Sequence, residues 1–261
     1  MKIEVIEPHG FCAGVTAAIR KALSLKGTVY CLHELVHNEI VVSDLRARGF
    51  VFVEDVREVP VGATVLFSAH GVAPAVRRAA EARRLRIVDA TCPFVARVHE
   101  AAREFAAKGL PVVVIGNPAH AEVKGIVGEA EGAYVYPELP AAERIGVVSQ
   151  TTMNADEVRA IVESLGSRHA VETMAEVCNA TKERQEAVRN FTGDALLVLG
   201  SANSSNTRRL CEVASCRTMR AGTLDEVKAL DLSGIATLGV TSGASTPESF
   251  FNAAVAFLRD R

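Results

Sequence analysis

Short apolar runs alternate along this chain with longer stretches in which apolar positions recur every three or four residues. Runs at 29–32, 51–53, 64–67, 112–115, 146–149, 196–199 and 236–240 have the length and β-branched content of strands, and amphipathic helical stretches lie between them. Such regular alternation is the pattern of an α/β architecture with largely parallel sheets. Residues 1–6 alternate as a further strand and lack the long apolar segment of a secretion signal. No apolar run approaches the roughly 20 residues that cross a bilayer, so no membrane partner is expected.

Three cysteines impose a longer period. Cys12, Cys92 and Cys178 divide the 261 residues into near-equal thirds, and the same order of elements follows each one. That order is helix, apolar strand, polar loop, helix, strand material, second polar loop, further helix. The first polar loops are HELVHN (33–38), GNPAHAEV (116–123) and GSANSSN (200–206); the second are SAHG (68–71), SQTT (149–152) and TSGAS (241–245). Identity between the thirds is negligible, so the repeat rests on element order alone. It predicts three similar α/β lobes with mainly parallel sheets in a pseudo-three-fold arrangement, spanning 13–92, 93–177, and 178–261 together with 1–12. The strand at 2–6 then completes the third lobe, because its counterparts at 87–88 and 170–173 precede the other two cysteines. Open α/β sheets bind ligands at the carboxyl ends of their strands, so three cysteines and six polar loops are expected to meet at one place.

Composition narrows the class. Apolar residues make up 49% and charged residues 23% of the chain, enough for a packed core, and a formal charge of −2 predicts no nucleic-acid footprint. Arg77, Arg78, Arg83, Arg84 and Arg86 recur at helical spacing and read as one solvated helix face. With no export route visible, the reading is a cytoplasmic protein in a reducing compartment. There cysteine is more often metal-binding, catalytic or merely buried than disulfide-bonded. Cys31, Cys211 and Cys216 are read as small buried apolar residues.

Cys12, Cys92 and Cys178 each stand immediately before a helical pattern, at 13–25, 93–108 and 179–191. Pro93 suits a first helical position and marks Cys92 as a cap. A helix N-terminus favours negative charge and is expected to lower a thiol's pKa, which suits a metal ligand. Structural zinc sites usually bring cysteines in local pairs, which this sequence lacks, although a zinc built on the same three thiolates remains a rival. A cubane iron-sulfur cluster usually takes four thiolates; with three, one iron keeps an open position for substrate.

GFCAGV (10–15), HELVHN, FSAHGV (67–72), DATCP (89–93), SQTT, RQEAV (184–188), GSANSSN and VTSGAS (240–245) follow one another over nearly the whole chain. In this order they closely resemble the LytB/IspH family, 4-hydroxy-3-methylbut-2-enyl diphosphate reductase. The resemblance implies three lobes around a central 4Fe-4S cluster held by Cys12, Cys92 and Cys178, with one open iron. It implies the last step of the methylerythritol phosphate isoprenoid route: reductive loss of an allylic hydroxyl, giving isopentenyl and dimethylallyl diphosphates. His37, His70 and His120 match the family's diphosphate-binding histidines, completed by Ser204, Asn206 and Ser245, with Ser205 beside them. Glu122 matches the family's acidic position and is the candidate acid, Thr151 matches the position that relays or orients its proton, and His120 lies two residues away. The family motif commonly reads His-Pro-Glu. Here Ala121 stands between His120 and Glu122, which puts the rigidity of that loop in question.

The residues support a small diphosphate in their own right. His37, Asn38, His70, His120, Thr151, Thr152, Ser204, Ser205, Asn206 and Ser245 supply donors in loops that contain no lysine or arginine. No P-loop or dinucleotide fingerprint accompanies them. A bound diphosphate would favour protonated histidine. The chain shows no flavin or nicotinamide motif and no second cysteine set, so an external one-electron carrier of ferredoxin or flavodoxin type is implied. The rival readings are a cluster-dependent hydro-lyase and a non-catalytic redox sensor or cluster carrier.

Overall fold

In the computed structural model, which describes residues 1–261, the chain opens with β1 (Lys2–Val5) and then runs three times through one order of elements. The first pass is α1 (Ala13–Leu23), β2 (Val29–Leu32), α2 (Glu39–Ala47), β3 (Phe50–Val53), a 3-10 turn at Val56–Glu58, β4 (Thr64–Phe67), α3 (Pro74–Ala82) and β5 (Arg86–Asp89). The second is α4 (Pro93–Ala107), β6 (Val112–Ile115), α5 (Ala121–Val127), β7 (Tyr134–Val135), β8 (Arg144–Ser149), α6 (Ala155–Gly166) and β9 (Ala170–Met174). The third is α7 (Asn179–Arg189), β10 (Ala195–Leu199), α8 (Ser205–Val213), β11 (Arg217–Ala221), α9 (Leu224–Lys228), β12 (Thr237–Ser242) and α10 (Glu248–Asp260).

Three four-stranded sheets result, in the orders β3-β2-β4-β5, β7-β6-β8-β9 and β11-β10-β12-β1, and every pairing is parallel. The order is identical each time, so the repeat inferred from cysteine spacing is real at the level of topology. Only β1 can occupy the fourth place of the last sheet, and its residues pair with Thr237 to Val240 of β12.

Parallel strands need crossover connections, and the helices that supply them cover both faces of each sheet. The central strands are accordingly buried on both sides, and their period of two sends alternate side chains into two cores. Along β10, Ala195, Leu197 and Leu199 pack with α10, whereas Leu196 and Val198 pack with Val188 and Leu210 on the opposite face. Along β6, Val112 and Val114 join Val98, Phe105 and Val123, while Val113 and Ile115 join Val147 and Val158. Cys31 and Leu66 face one core of the first sheet and Leu32, Val65 and Phe67 the other. Each such valine, leucine, isoleucine or phenylalanine contributes roughly 1.5 to 3 kcal/mol by leaving water. Cys31 is thus a core residue, and burial pushes its thiol up to about 12.

Helix ends depart from the sequence reading by up to two residues. The helices after Cys12, Cys92 and Cys178 stop at Leu23, Ala107 and Arg189. At α4 the stop is a left-handed Gly109, φ 74°, with the Leu110 N–H folded back on the Phe105 carbonyl at 3.0 Å. The five arginines do not share a helix face. α3 carries only Arg77 and Arg78, and Arg84 takes φ 56° so that the Leu85 N–H reaches the Ala80 carbonyl at 3.0 Å and Leu85 turns into the core. Arg86 then lies on β5 and donates to Thr64 Oγ1. No helix is long and apolar enough to cross a membrane.

Candidate active site

Each sheet sends its fourth strand, β1, β5 or β9, into a cysteine that caps the next helix. Cys12 caps α1, its Sγ accepting the Val15 N–H at 3.5 Å; Cys92 caps α4 ahead of Pro93; Cys178 caps α7 with its sulfur 3.2 Å from Thr181 Oγ1. The three line one cavity. Gly14 makes their approach possible, since a Cβ there would sit 2.6 Å from Cys92 Sγ and 3.9 Å from Cys12 Sγ. Any larger residue at 14 would drive the first turn of α1 away from Cys92.

Do these residues fit a metal group? No three His, Cys, Asp or Glu side chains converge closely enough to clasp one ion. Three thiols at separate helix N-termini around one cavity form a donor set that a cluster taking one thiolate from each would fit. Burial raises Cys92 and Cys178 above the usual thiol range, outweighing the lowering by N–H groups of Phe94 and Val95 at Cys92 and by Thr181 at Cys178. The expectation of a lowered thiol pKa is corrected accordingly at Cys92 and Cys178: here desolvation wins, and a cation's charge is what would offset it.

Arg184, buried on α7, was legible only as part of a motif. Its guanidinium donates to the Gly10 carbonyl at 2.9 Å and the Ala180 carbonyl at 3.0 Å, tying the turn before Cys12 to the start of α7 after Cys178. His9, in contrast, stacks on Phe251 at 3.7 Å and does not line the cavity.

The polar loops bring a second group to the same cavity. His37 follows β2, His70 follows β4 and His120 follows β6, yet their rings meet: His37 stacks on His70 at 4.1 Å, and His120 sets its edge to them at 5.0 and 5.5 Å. His37 Nδ1 lies 3.0 Å from Glu34 Oε2, which also accepts from Asn203 at 2.9 Å. This leaves His37 Nε2 buried with no protein partner. His120 caps α5, its Nδ1 accepting the Glu122 N–H at 3.2 Å, so the neutral ring carries its proton on Nε2. Burial holds His70 well below the ordinary histidine value and brings His120 to about 4, with His37 and Arg208 adding to the effect at His120. Within the protein alone His70 and His120 are therefore neutral, opposite to the protonation a bound diphosphate would favour.

Glu122, 1% exposed, is two residues beyond that cap. Its Oε1 accepts the Thr151 N–H at 2.7 Å, and burial nevertheless raises the carboxyl to about 7 against the pull of the Thr151 amide and hydroxyl. Ala121 occupies the first position of α5, where proline is favoured but not required. The imidazole cap closes the turn without it.

The third lobe adds hydroxyls and an amide. Ser204 caps α8 by accepting the Thr207 N–H at 3.3 Å, placing Ser205 and Asn206 in the first turn. Gln150 donates to Thr152 Oγ1 at 2.9 Å and Ser205 Oγ at 3.3 Å. Asn206 donates to Thr181 Oγ1 at 3.3 Å and accepts from the Ala244 N–H at 3.0 Å, while Ser245 donates to the His37 carbonyl at 2.9 Å. All of the expected site residues line the one cavity except Asn38, which is spent on capping α2 through the N–H groups of Ile40 and Val41. Thr181 and Gln150 escaped the sequence reading. Only the spacing of Thr181 one turn after Cys178 could have pointed to it.

With this geometry in hand, similarity to known proteins is informative. The chain matches the family described as LytB protein over residues 3–259. It is 41% identical, over 99% of its length and 86% of the relative's, to 4-hydroxy-3-methylbut-2-enyl diphosphate reductase 2 of Burkholderia mallei. The solved E-1-hydroxy-2-methyl-but-2-enyl-4-diphosphate reductase from Plasmodium falciparum superposes with a TM-score of 0.91 at 31% identity, covering 98% of this chain and 87% of that one. A structure described as (E)-4-hydroxy-3-methyl-but-2-enyl diphosphate reductase, the terminal enzyme of the non-mevalonate pathway, gives 0.69 at 31% identity with both chains fully covered. A match running from residue 3 to residue 259, on three sheets of one strand order, makes this chain a member of the LytB family.

Proposed function

We propose that this chain is the reductase that converts 4-hydroxy-3-methylbut-2-enyl diphosphate to isopentenyl and dimethylallyl diphosphates, closing the non-mevalonate route to isoprenoids. One observation carries the reading: three cysteines, three mutually touching histidines and a buried carboxyl raised to about 7 line the same cavity. Relatives that bear the same name and span the whole chain support it. LytB enzymes are iron-sulfur proteins, and the finer assignment proposed here is a 4Fe-4S cluster on Cys12, Cys92 and Cys178. Such a cluster supplies electrons one at a time and, at the iron without a protein ligand, a Lewis acid for the substrate hydroxyl.

The chain's own residues do the rest. His70 and His120 donate ring N–H groups to the diphosphate and His37, stacked on His70 with its buried Nε2 free of protein partners, completes the trio, joined by Ser204, Ser205, Asn206 and Ser245 at the start of α8 and after β12. The N-terminus of the nine-residue α8 favours the negative charge. Each bond to a charged oxygen is worth roughly 1.5 to 3 kcal/mol, so no lysine or arginine is needed. Glu122 holds a proton near neutrality because it is buried, and the Thr151 amide and hydroxyl keep its carboxyl aimed. It delivers that proton as the allylic C–O bond breaks, and the hydroxyl leaves as water. Two electrons and two protons are consumed per turnover.

The electrons come from an external ferredoxin- or flavodoxin-type carrier, and the protein works in the cytoplasm. The lobe limits 13–92, 93–177, and 178–261 with 1–12 belong to the same proposal. Anaerobic protein given a one-electron donor and the allylic diphosphate is expected to release both isoprenoid diphosphates, detected by mass spectrometry. Turnover without a reductant would point to a hydro-lyase, and cluster binding with no turnover would point to a sensor or carrier.

A further inference from the structure

His99 lies on α4, two turns beyond Cys92, and takes no part in the chemistry just described. It is 5% exposed, and its Nδ1 sits 2.7 Å from Glu129 Oε1, while Glu129 Oε2 pairs with Arg103 at 3.0 Å. The opposite edge of the ring has no polar partner, with Nε2 buried and unbonded. That edge fills a gap between two glycines of different elements. A Cβ on Gly71 would stand 2.9 Å from Nε2, and one on Gly125 would stand 2.9 Å from Cε1. Gly71 directly follows His70 in the first lobe, and Gly125 lies on α5 one turn after Glu122 in the second. A second close approach reinforces the joint, since a Cβ on Gly128 would be 2.4 Å from that of Ala73.

We propose that His99 is a positioning residue: its imidazole edge, wedged between Gly71 and Gly125 and locked by Glu129, sets the spacing between the turn that carries His70 and the helix that carries His120 and Glu122. The inference rests on the proposed diphosphate site. The contact with Glu129 orients the ring through Nδ1, so the edge that carries Nε2 and Cε1 is the one turned into the gap between the glycines. The two glycines are the complement of that edge. Either element, given a side chain at this point, would ride away from the other, and the ring trio would open. A displacement near 1 Å is large on this scale, because positioning errors of that size can cost about 100-fold in rate.

Three variants of the holoenzyme test it, each read by KM and kcat with the allylic diphosphate and by calorimetric affinity for inorganic diphosphate. His99→Asn keeps a donor for Glu129 and removes the ring edge; about tenfold weaker inorganic diphosphate binding and a matching rise in KM are expected. Gly125→Ala, which drives a methyl into the ring, is expected to do the same. In the double variant the methyl takes the vacated space, and affinity is expected to return to within about threefold of the wild type. Additive losses in the double variant, or single variants that lower the melting temperature without changing affinity or KM, would overturn the proposal. Because inorganic diphosphate is a probe independent of turnover, a wild-type protein that binds it but reduces nothing would sink the proposed function and leave this test standing.

Discussion

The two walls of the cavity treat the three-fold repeat in opposite ways. On the thiol wall the repeat is obeyed: one cysteine per third, each after the fourth strand of its sheet, each capping a helix. On the donor wall it is broken. The first lobe gives His37 and His70, the second His120, Glu122 and Thr151, and the third only hydroxyls and an amide. The difference matches what each wall is proposed to hold. A cubane with three attached irons looks nearly alike along three directions, whereas an allylic diphosphate has two different ends and needs an acid on one side alone.

Equivalence of the thiols is the claim with the largest consequence. Cys12→Ser, Cys92→Ser and Cys178→Ser are each expected to drop turnover below about 1% and to lower iron and sulfide content to a similar degree. Full iron content in any one of them would break the symmetry. Glu122→Gln tests the opposite wall: kcat is expected to fall about 10² to 10⁴-fold while iron content and inorganic diphosphate affinity hold. Removing one ring at a time, as His37→Asn, His70→Asn or His120→Asn, is expected to raise KM about 10- to 100-fold, against about 3- to 10-fold for Ser245→Ala. Equal losses for all four would erase the asymmetry between the lobes.

Two smaller effects follow from the raised carboxyl. As pH climbs through about 7, Glu122 loses its proton and turnover is expected to fall, a limb that should vanish from the residual activity of Glu122→Gln. Stability moves in the same sense. The folded carboxyl binds its proton more tightly than the unfolded one, whose pKa is near 4.5, so its contribution is full below that value and is lost as pH rises through about 7. Thermal melts of the cluster-free protein should show Glu122→Gln stabilised relative to wild type at pH 8, by on the order of 2 kcal/mol, and little changed at pH 4.

What could be read in advance was whatever repeats or is strung together locally. Cysteine spacing announced the three sheets, and short polar motifs announced the loops that follow β2, β4, β6, β8, β10 and β12. What could not be read was how a polar residue spends its hydrogen bonds. Asn38 and His120 are both caps, yet Asn38 exhausts its oxygen on α2, while His120 uses one nitrogen for α5 and keeps the other for the cavity. No pattern of residue types separates those outcomes. The fate of the thiols was hidden for a related reason, because desolvation depends on what three distant segments enclose and the helix terminus is only the local part of the balance.

The pairing of β1 with β12 also fixes an order of events during synthesis. Residues 2–5 are synthesised long before residues 237–240 and have no strand neighbour until those emerge, so the sheet that delivers Cys12 to its place stays one strand short for that interval. The other two sheets draw all four strands from a single continuous stretch and can close earlier. Loss of the β1–β12 pairing would thus unseat Cys12 while leaving the two sheets that lead into Cys92 and Cys178 closed.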